Sequence, residues 1–251
     1  MGDFNPRIGG GLCPRTDTES GICSVSFQET GIKGWDDVVV RYSDGNIDYN
    51  QVKHSREGTN ITFGTFVGKD EQGDSLLGSL YRAWLKLKPP PQKSRCIIFT
   101  NREAGERTYE GRPPLTAFVR WLYTEIPARK TLAQFAVPSE WSPAWQSWLA
   151  ELKEGTEEER LSFLHSFDIQ ANEPNLEELA SIVQRKLAEA FGASFEKAAP
   201  LLHAFDHALR RWTDSHAHVT VEDAFSALVL PSDLESNRLA PPPPAPFFPN
   251  L

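Results

Sequence analysis

The stretch WDDVVVRYSDGNIDYNQVKHS, residues 35–55, decides the fold. Val38, Val39 and Val40 are β-branched and lead into Tyr42, which favours an extended chain. Asp44-Gly45 is a hairpin signal, because both positions tolerate a positive φ. Beyond it, Ile47, Tyr49, Gln51 and Lys53 recur at period two and fall on one face of a second strand. That face begins apolar and ends in an amide and an ammonium. At the open end of the hairpin the first strand brings Asp36 and Asp37. An acid next to a Gln-x-Lys on the neighbouring strand can bind a divalent metal and set an ammonium beside a scissile phosphate.

Register decides which acid faces the lysine. A two-residue loop pairs Ser43 with Asn46 and puts Asp36 opposite Lys53; a three-residue loop, Asp44 to Asn46, puts Asp37 there. Opposed residues share a face, and a slip of one residue exchanges the two acids. The turn chemistry favours Asp36, and the position just before the valine run favours Asp37. Both are candidates, Asp37 ahead of Asp36.

WDDVVV followed by YNQVKHS resembles the core of the PD-(D/E)XK nuclease superfamily. More narrowly, it resembles the double-stranded DNA endonuclease domain at the front of bacterial anti-phage effectors of the CBASS and large-NTPase types. LLGSLYRAWLKL, CIIFTNR and the late RRWTDSHAHVTVEDAFSAL follow in the order of that pattern, so the resemblance spans most of Gly31 to Leu230. Gln51 stands where the second acid is usual. The resemblance implies a restriction-endonuclease-like α/β fold, a central mixed sheet flanked by helices. It also implies a Mg²⁺- or Mn²⁺-dependent DNA endonuclease that works as a homo-oligomer with a fused or associated sensor or NTPase. Asp37 (or Asp36) and Gln51 would hold the metal, and Lys53 would serve the attacking water. Glu29, just upstream, is a further carboxylate for the metal site.

Composition sets the bounds. The chain has 251 residues, 39% hydrophobic and 11% aromatic, enough for a packed core. Cys13, Cys23 and Cys96 are an odd number without a close pair, which fits a reducing cytoplasm. No apolar run approaches the ~20 residues of a membrane span, and Met1 to Gly11 lacks the basic-then-apolar pattern of a secretory signal. A net charge of −8 argues against nucleic acid at first sight, but the charge is unevenly spread. Leu80 to Thr131 holds 11 basic and 4 acidic residues, while both flanks are acidic. A local basic block can bind phosphate because its field acts near its source; the same block also reads as a solvated helix face. Arg56, Lys86, Lys88 and Arg102 are the DNA-binding candidates.

Four regions follow along the chain. Residues 1–20, rich in Gly and Pro, read as an arm. Residues 21–140 read as the nuclease-like core. Within it, Gly21 to Gln28 reads as a strand or short helix, and Ile61 to Val67 as a short strand or lid. Asp74 is positioned to cap a helix from Leu76, Arg95 to Thr100 reads as a strand, and Leu115 to Glu125 as a helix. Residues 141–230 read as a helical layer, with capping boxes at Thr156/Glu159 and Thr220/Asp223 and a helix from Asn175 to a Gly192 stop. Residues 231–251 contain PPPPAPFFP, a linker or tail to which a downstream domain would be joined. Trp141, Trp145 and Trp148 share a helical side, a spacing that suits core packing or a docking stripe. A docking stripe there would make the protein a non-catalytic module for a sensor or NTPase. His203 and His207 stand four apart but lack further ligands in a readable motif, so they read as ordinary histidines. No GxxxxGK[ST] sequence occurs.

Overall fold

The valine run forms a strand because three β-branched residues and a tyrosine fit a pleated, half-buried surface better than a helix. In the computed structural model, which describes residues 21–29, 34–55, 59–87, 94–106, 111–126 and 130–226, this strand is β2 (Val38–Tyr42). It lies between β1 (Ile22–Phe27) and β3 (Ile47–Val52), antiparallel to both. Strands β4 (Ser94–Phe99) and β5 (Phe167–Gln170) continue parallel to β3, and β6 (His218–Thr220) pairs antiparallel with β1. The order is β5-β4-β3-β2-β1-β6. The fold is α/β, a six-stranded mixed sheet flanked by helices.

Parallel neighbours need long crossovers, and the chain supplies them. Helices α1 (Phe63–Val67) and α2 (Leu76–Leu87) join β3 to β4; α3 (Leu115–Glu125), α4 (Ser142–Glu151) and α5 (Glu157–Ser166) join β4 to β5. Helices α6 (Leu176–Phe191) and α7 (Ala199–Asp214) lead to β6, and α8 (Val221–Ser226) follows it. One face of the sheet, through Val39, Tyr49, Cys96, Ile98, Phe167 and Ile169, packs on α1 to α5 in the principal core. On the other face, Phe27 and Val219 pack against Phe205, Ala208 and Trp212 of α7. Towards the middle that second face is polar: buried Asp48 receives the Arg95 guanidinium at 3.1 and 2.9 Å and the Tyr42 hydroxyl at 2.9 Å. Burial on both faces explains why β3 reads IDYNQV rather than as a clean alternation.

Four sequence expectations change. Phe63–Val67 is a helix, not a strand or lid, because Thr62 and Thr65 form a reciprocal cap at its start. The cap of α2 is Ser75, whose Oγ accepts the Gly78 N–H at 2.9 Å, while Asp74 pairs with Arg82. The stretch 141–230 is not purely helical, since it supplies both edge strands, β5 and β6. The hairpin register is neither of the two expected. The loop is Ser43-Asp44-Gly45, with Tyr42 N–H donating to the Asn46 carbonyl and Gly45 N–H to the Tyr42 carbonyl. Only Gly45 takes a positive φ (82°), so the two-residue turn that needs two such residues does not form. The arm at 1–20 and the tail at 231–251 lie outside the described residues.

Candidate active site

The register decides which acid faces Gln51. Val38 faces Asn50, so one step outward Asp37 faces Gln51, and Lys53 opposes neither aspartate. Asp37 Oδ2 accepts from the Gln51 side-chain amide, and from the Val52 backbone N–H at 2.7 Å. The side chain of Asp37 thus takes over where the backbone ladder between β2 and β3 stops. Lys53 lies two residues beyond Gln51, on the same face of the strand. It is exposed, and its ammonium forms no ion pair among the described residues. Asp37 and Gln51 therefore meet at the C-terminal end of β3, through a pairing other than either one expected, and Lys53 follows two residues further along the chain.

The other carboxylates do not join them. Asp36 belongs to the turn before β2: its Oδ1 accepts the Gly34 N–H at 2.8 Å and its carbonyl accepts the Glu29 N–H at 2.9 Å. Glu29 is held by Arg41, whose Nη2 donates to both carboxylate oxygens at 2.6 and 2.7 Å while Nη1 reaches Ser26 Oγ at 2.9 Å. The Arg41 guanidinium reaches both carboxylate oxygens through one nitrogen and balances their charge, so this carboxylate is already paired. Tyr49, two residues before Gln51 on the same face, has its phenol pushed up chiefly by burial, which keeps it neutral.

The strand exit is braced by Thr100 and Asn101, at and just past the end of the stretch read as a strand. Lys53 N–H donates to the Phe99 carbonyl at 2.8 Å, and Thr100 Oγ1 donates to the Lys53 carbonyl at 2.7 Å. Asn101 exchanges two side-chain hydrogen bonds with Ser55, accepting its N–H at 2.9 Å and donating to its carbonyl at 2.8 Å. Thr100 and Asn101 thereby extend the parallel pairing past the end of β4 and fix the backbone on both sides of His54. The only local signal for this was a Thr-Asn at the end of an apolar strand.

Neither a family model nor a curated protein matches this chain. The reading of the site therefore rests on its own geometry.

That geometry also redistributes the basic block. Arg102 donates to the carbonyls of Thr59 and Asn60, both at 2.7 Å, so it staples the loop after β3. Arg82 pairs with Asp74, and the half-buried Arg95 pairs with buried Asp48. Lys86 is exposed on the last turn of α2. Arg56 and Lys88 lie outside the described residues. His203 and His207 are exposed on α7, and among the described residues no group of three His, Cys, Asp or Glu side chains is placed to hold a metal. The oxygen donors at the strand end are the Asp37 carboxylate, the Gln51 amide oxygen and the carbonyl of Val52, which lies beyond the last β2–β3 pair. These are hard ligands carrying one negative charge. They suit Mg²⁺ or Mn²⁺ that keeps several waters.

Proposed function

We propose that the protein is a metal-dependent phosphodiester hydrolase that cuts double-stranded DNA, with Asp37, Gln51 and Lys53 as its working residues. The observation that carries this reading is the Asp37–Gln51 pair at the mouth of one hairpin, followed two residues on by Lys53, whose ammonium has no ion-pair partner among the described residues. Asp37 and Gln51 would hold a divalent cation, with the Val52 carbonyl as a third donor. A cation bound there supplies a Lewis acid for a phosphate oxygen and a water made more acidic. Because the Gln51 nitrogen donates to Asp37, its oxygen is the atom left for ligation. Lys53 orients the attacking water and offsets the charge that builds on the phosphorane-like transition state. Asp37 immediately precedes β2 and Lys53 immediately follows β3, so the hairpin pairing sets their spacing, and Thr100 and Asn101 hold the lysine's backbone. The setting is that of an effector in bacterial anti-phage defence, activated by oligomerisation and joined to a sensor or NTPase. Among the described residues no helix is long and apolar enough to cross a membrane.

The test is nicking of supercoiled plasmid in Mg²⁺ or Mn²⁺, with the chain alone and with artificially dimerised chain. One carboxylate makes a weak site, so half-maximal nicking requires metal in the millimolar range, with Mn²⁺ as effective as Mg²⁺. A Gln51→Glu variant adds the missing charge and lowers the required metal by about tenfold. Tight metal uptake by the wild-type chain without DNA contradicts this account. Glu29→Gln retains activity to within about threefold, because Arg41 already occupies that carboxylate; a loss as large as that of an Asp37 variant restores Glu29 to the site.

The docking-module reading loses the surface that motivated it. Trp145 and Trp148 are buried in the principal core, and Trp141 packs against it.

A further inference from the structure

We infer that the exposed face of α6 is a self-association surface, on which a second copy of this chain packs with its own α6 antiparallel. The C-terminal half of α6 is anchored: Phe191 and Leu187 pack with Leu201 of α7. The N-terminal half is not. Leu176, Leu179 and Ile182, spaced three apart, are 63%, 46% and 40% exposed, which makes this helix the main site of large apolar exposure among the described residues. Three apolar side chains at that spacing form one stripe on a helix. The occupant follows from the charges beside the stripe. Glu178 and Arg185 stand seven apart, two turns along one flank, and line a shallow groove with Ser181 and Ile182. Two helices related by a two-fold axis and running antiparallel bring like flanks together, so each Glu178 meets the other copy's Arg185 and the ion pair forms twice. Leu179 and Ile182 then fill the centre, where burial supplies the affinity. Arg185 has no ion pair among the described residues. The joint also borders the candidate site, since Asn172 and Glu173, just before α6, donate to the carbonyls of Arg102 and Thr100.

Sedimentation velocity of the full chain across a wide concentration range tests this, without reference to any activity. The wild-type chain shows a monomer–dimer equilibrium. Ile182→Glu leaves a folded monomer, with circular dichroism and melting unchanged. Arg185→Glu sets two carboxylates against each other and weakens the dimer at least about tenfold. Adding Glu178→Gln to Arg185→Glu removes that repulsion, keeps a side-chain oxygen for the Asn175 N–H that Glu178 accepts at 3.0 Å, and regains part of the loss. A chain that stays monomeric at every concentration overturns the proposal. So does a dimer whose strength Ile182→Glu and Arg185→Glu leave unchanged, or a double variant no stronger than Arg185→Glu alone.

Discussion

Lys53→Ala removes metal-dependent nicking, lowering the rate by at least about a hundredfold, and Asp37→Asn does the same. The two losses have different origins. Asp37 is the only carboxylate in the proposed donor set, so its amide analogue leaves a neutral set that holds no divalent cation at millimolar concentration. Added metal therefore recovers part of the Asp37→Asn activity. Lys53 acts on the water and the transition state, so raising the metal concentration does not rescue Lys53→Ala. Neither change disturbs the core. Lys53 is exposed, and Asp37 is half-buried at the edge of the ladder, so both variants melt close to wild type. The measurement is the rate of supercoiled-to-open-circle conversion against Mn²⁺ concentration, for wild type and both variants. Equal rates for wild type and Lys53→Ala remove the hydrolase proposal. Asp36→Asn is the internal control: its carboxylate serves the Gly34 turn, so nicking persists.

Elements marked by their own local chemistry were legible in the sequence. Helix α3 runs from Leu115 to Glu125 as its spacing indicates, and α6 starts at the Asn175 cap and stops at Gly192 with φ 60°. The capping boxes at Thr156/Glu159 and Thr220/Asp223 both form. Strands β5 and β6 were not legible. FDIQ follows α5 with no turn residue between, and His218–Thr220 is too short to show a period. At the site, alternation put Gln51 and Lys53 on one face, because that depends only on the pleat. The partner of Gln51 depended on a turn in which one residue rather than two takes a positive φ, and composition does not reveal that choice. The loss of Glu29 to Arg41 was hidden for a different reason. It joins Arg41 on β2 to a residue just past the end of β1 through a contact that no periodicity records. Non-local charge pairing also explains the basic block, where Arg95 counted towards a phosphate surface but is paired with buried Asp48.

Trp148→Ala costs about 3–5 kcal/mol of stability, the range for deleting a large aromatic from a core. Trp148 is 0% exposed, and its ring lies 5.6 Å from Phe63, 5.6 Å from Phe66, 5.1 Å from Phe118 and 6.3 Å from Phe167. It therefore joins α4 to α1, α3 and β5, the crossover helices on the side of the sheet that carries Gln51. The loss is large against a total stability of about 5–15 kcal/mol, and it lowers the melting temperature by about 6–20 °C. Trp148→Phe costs much less. The indole Nε1 is buried without a hydrogen-bond partner among the described residues, so phenylalanine removes an unsatisfied donor worth about 1–3 kcal/mol along with the lost ring volume. The two terms oppose each other and leave a change below about 1.5 kcal/mol. Trp141 is only partly buried and packs at the margin of the same cluster, so Trp141→Ala falls between the two. Denaturant melts of the three variants test the ordering. If Trp148→Ala and Trp141→Ala cost the same, the aromatic cluster is not centred on α4, and the helical layer does not brace the strand end from which Lys53 projects.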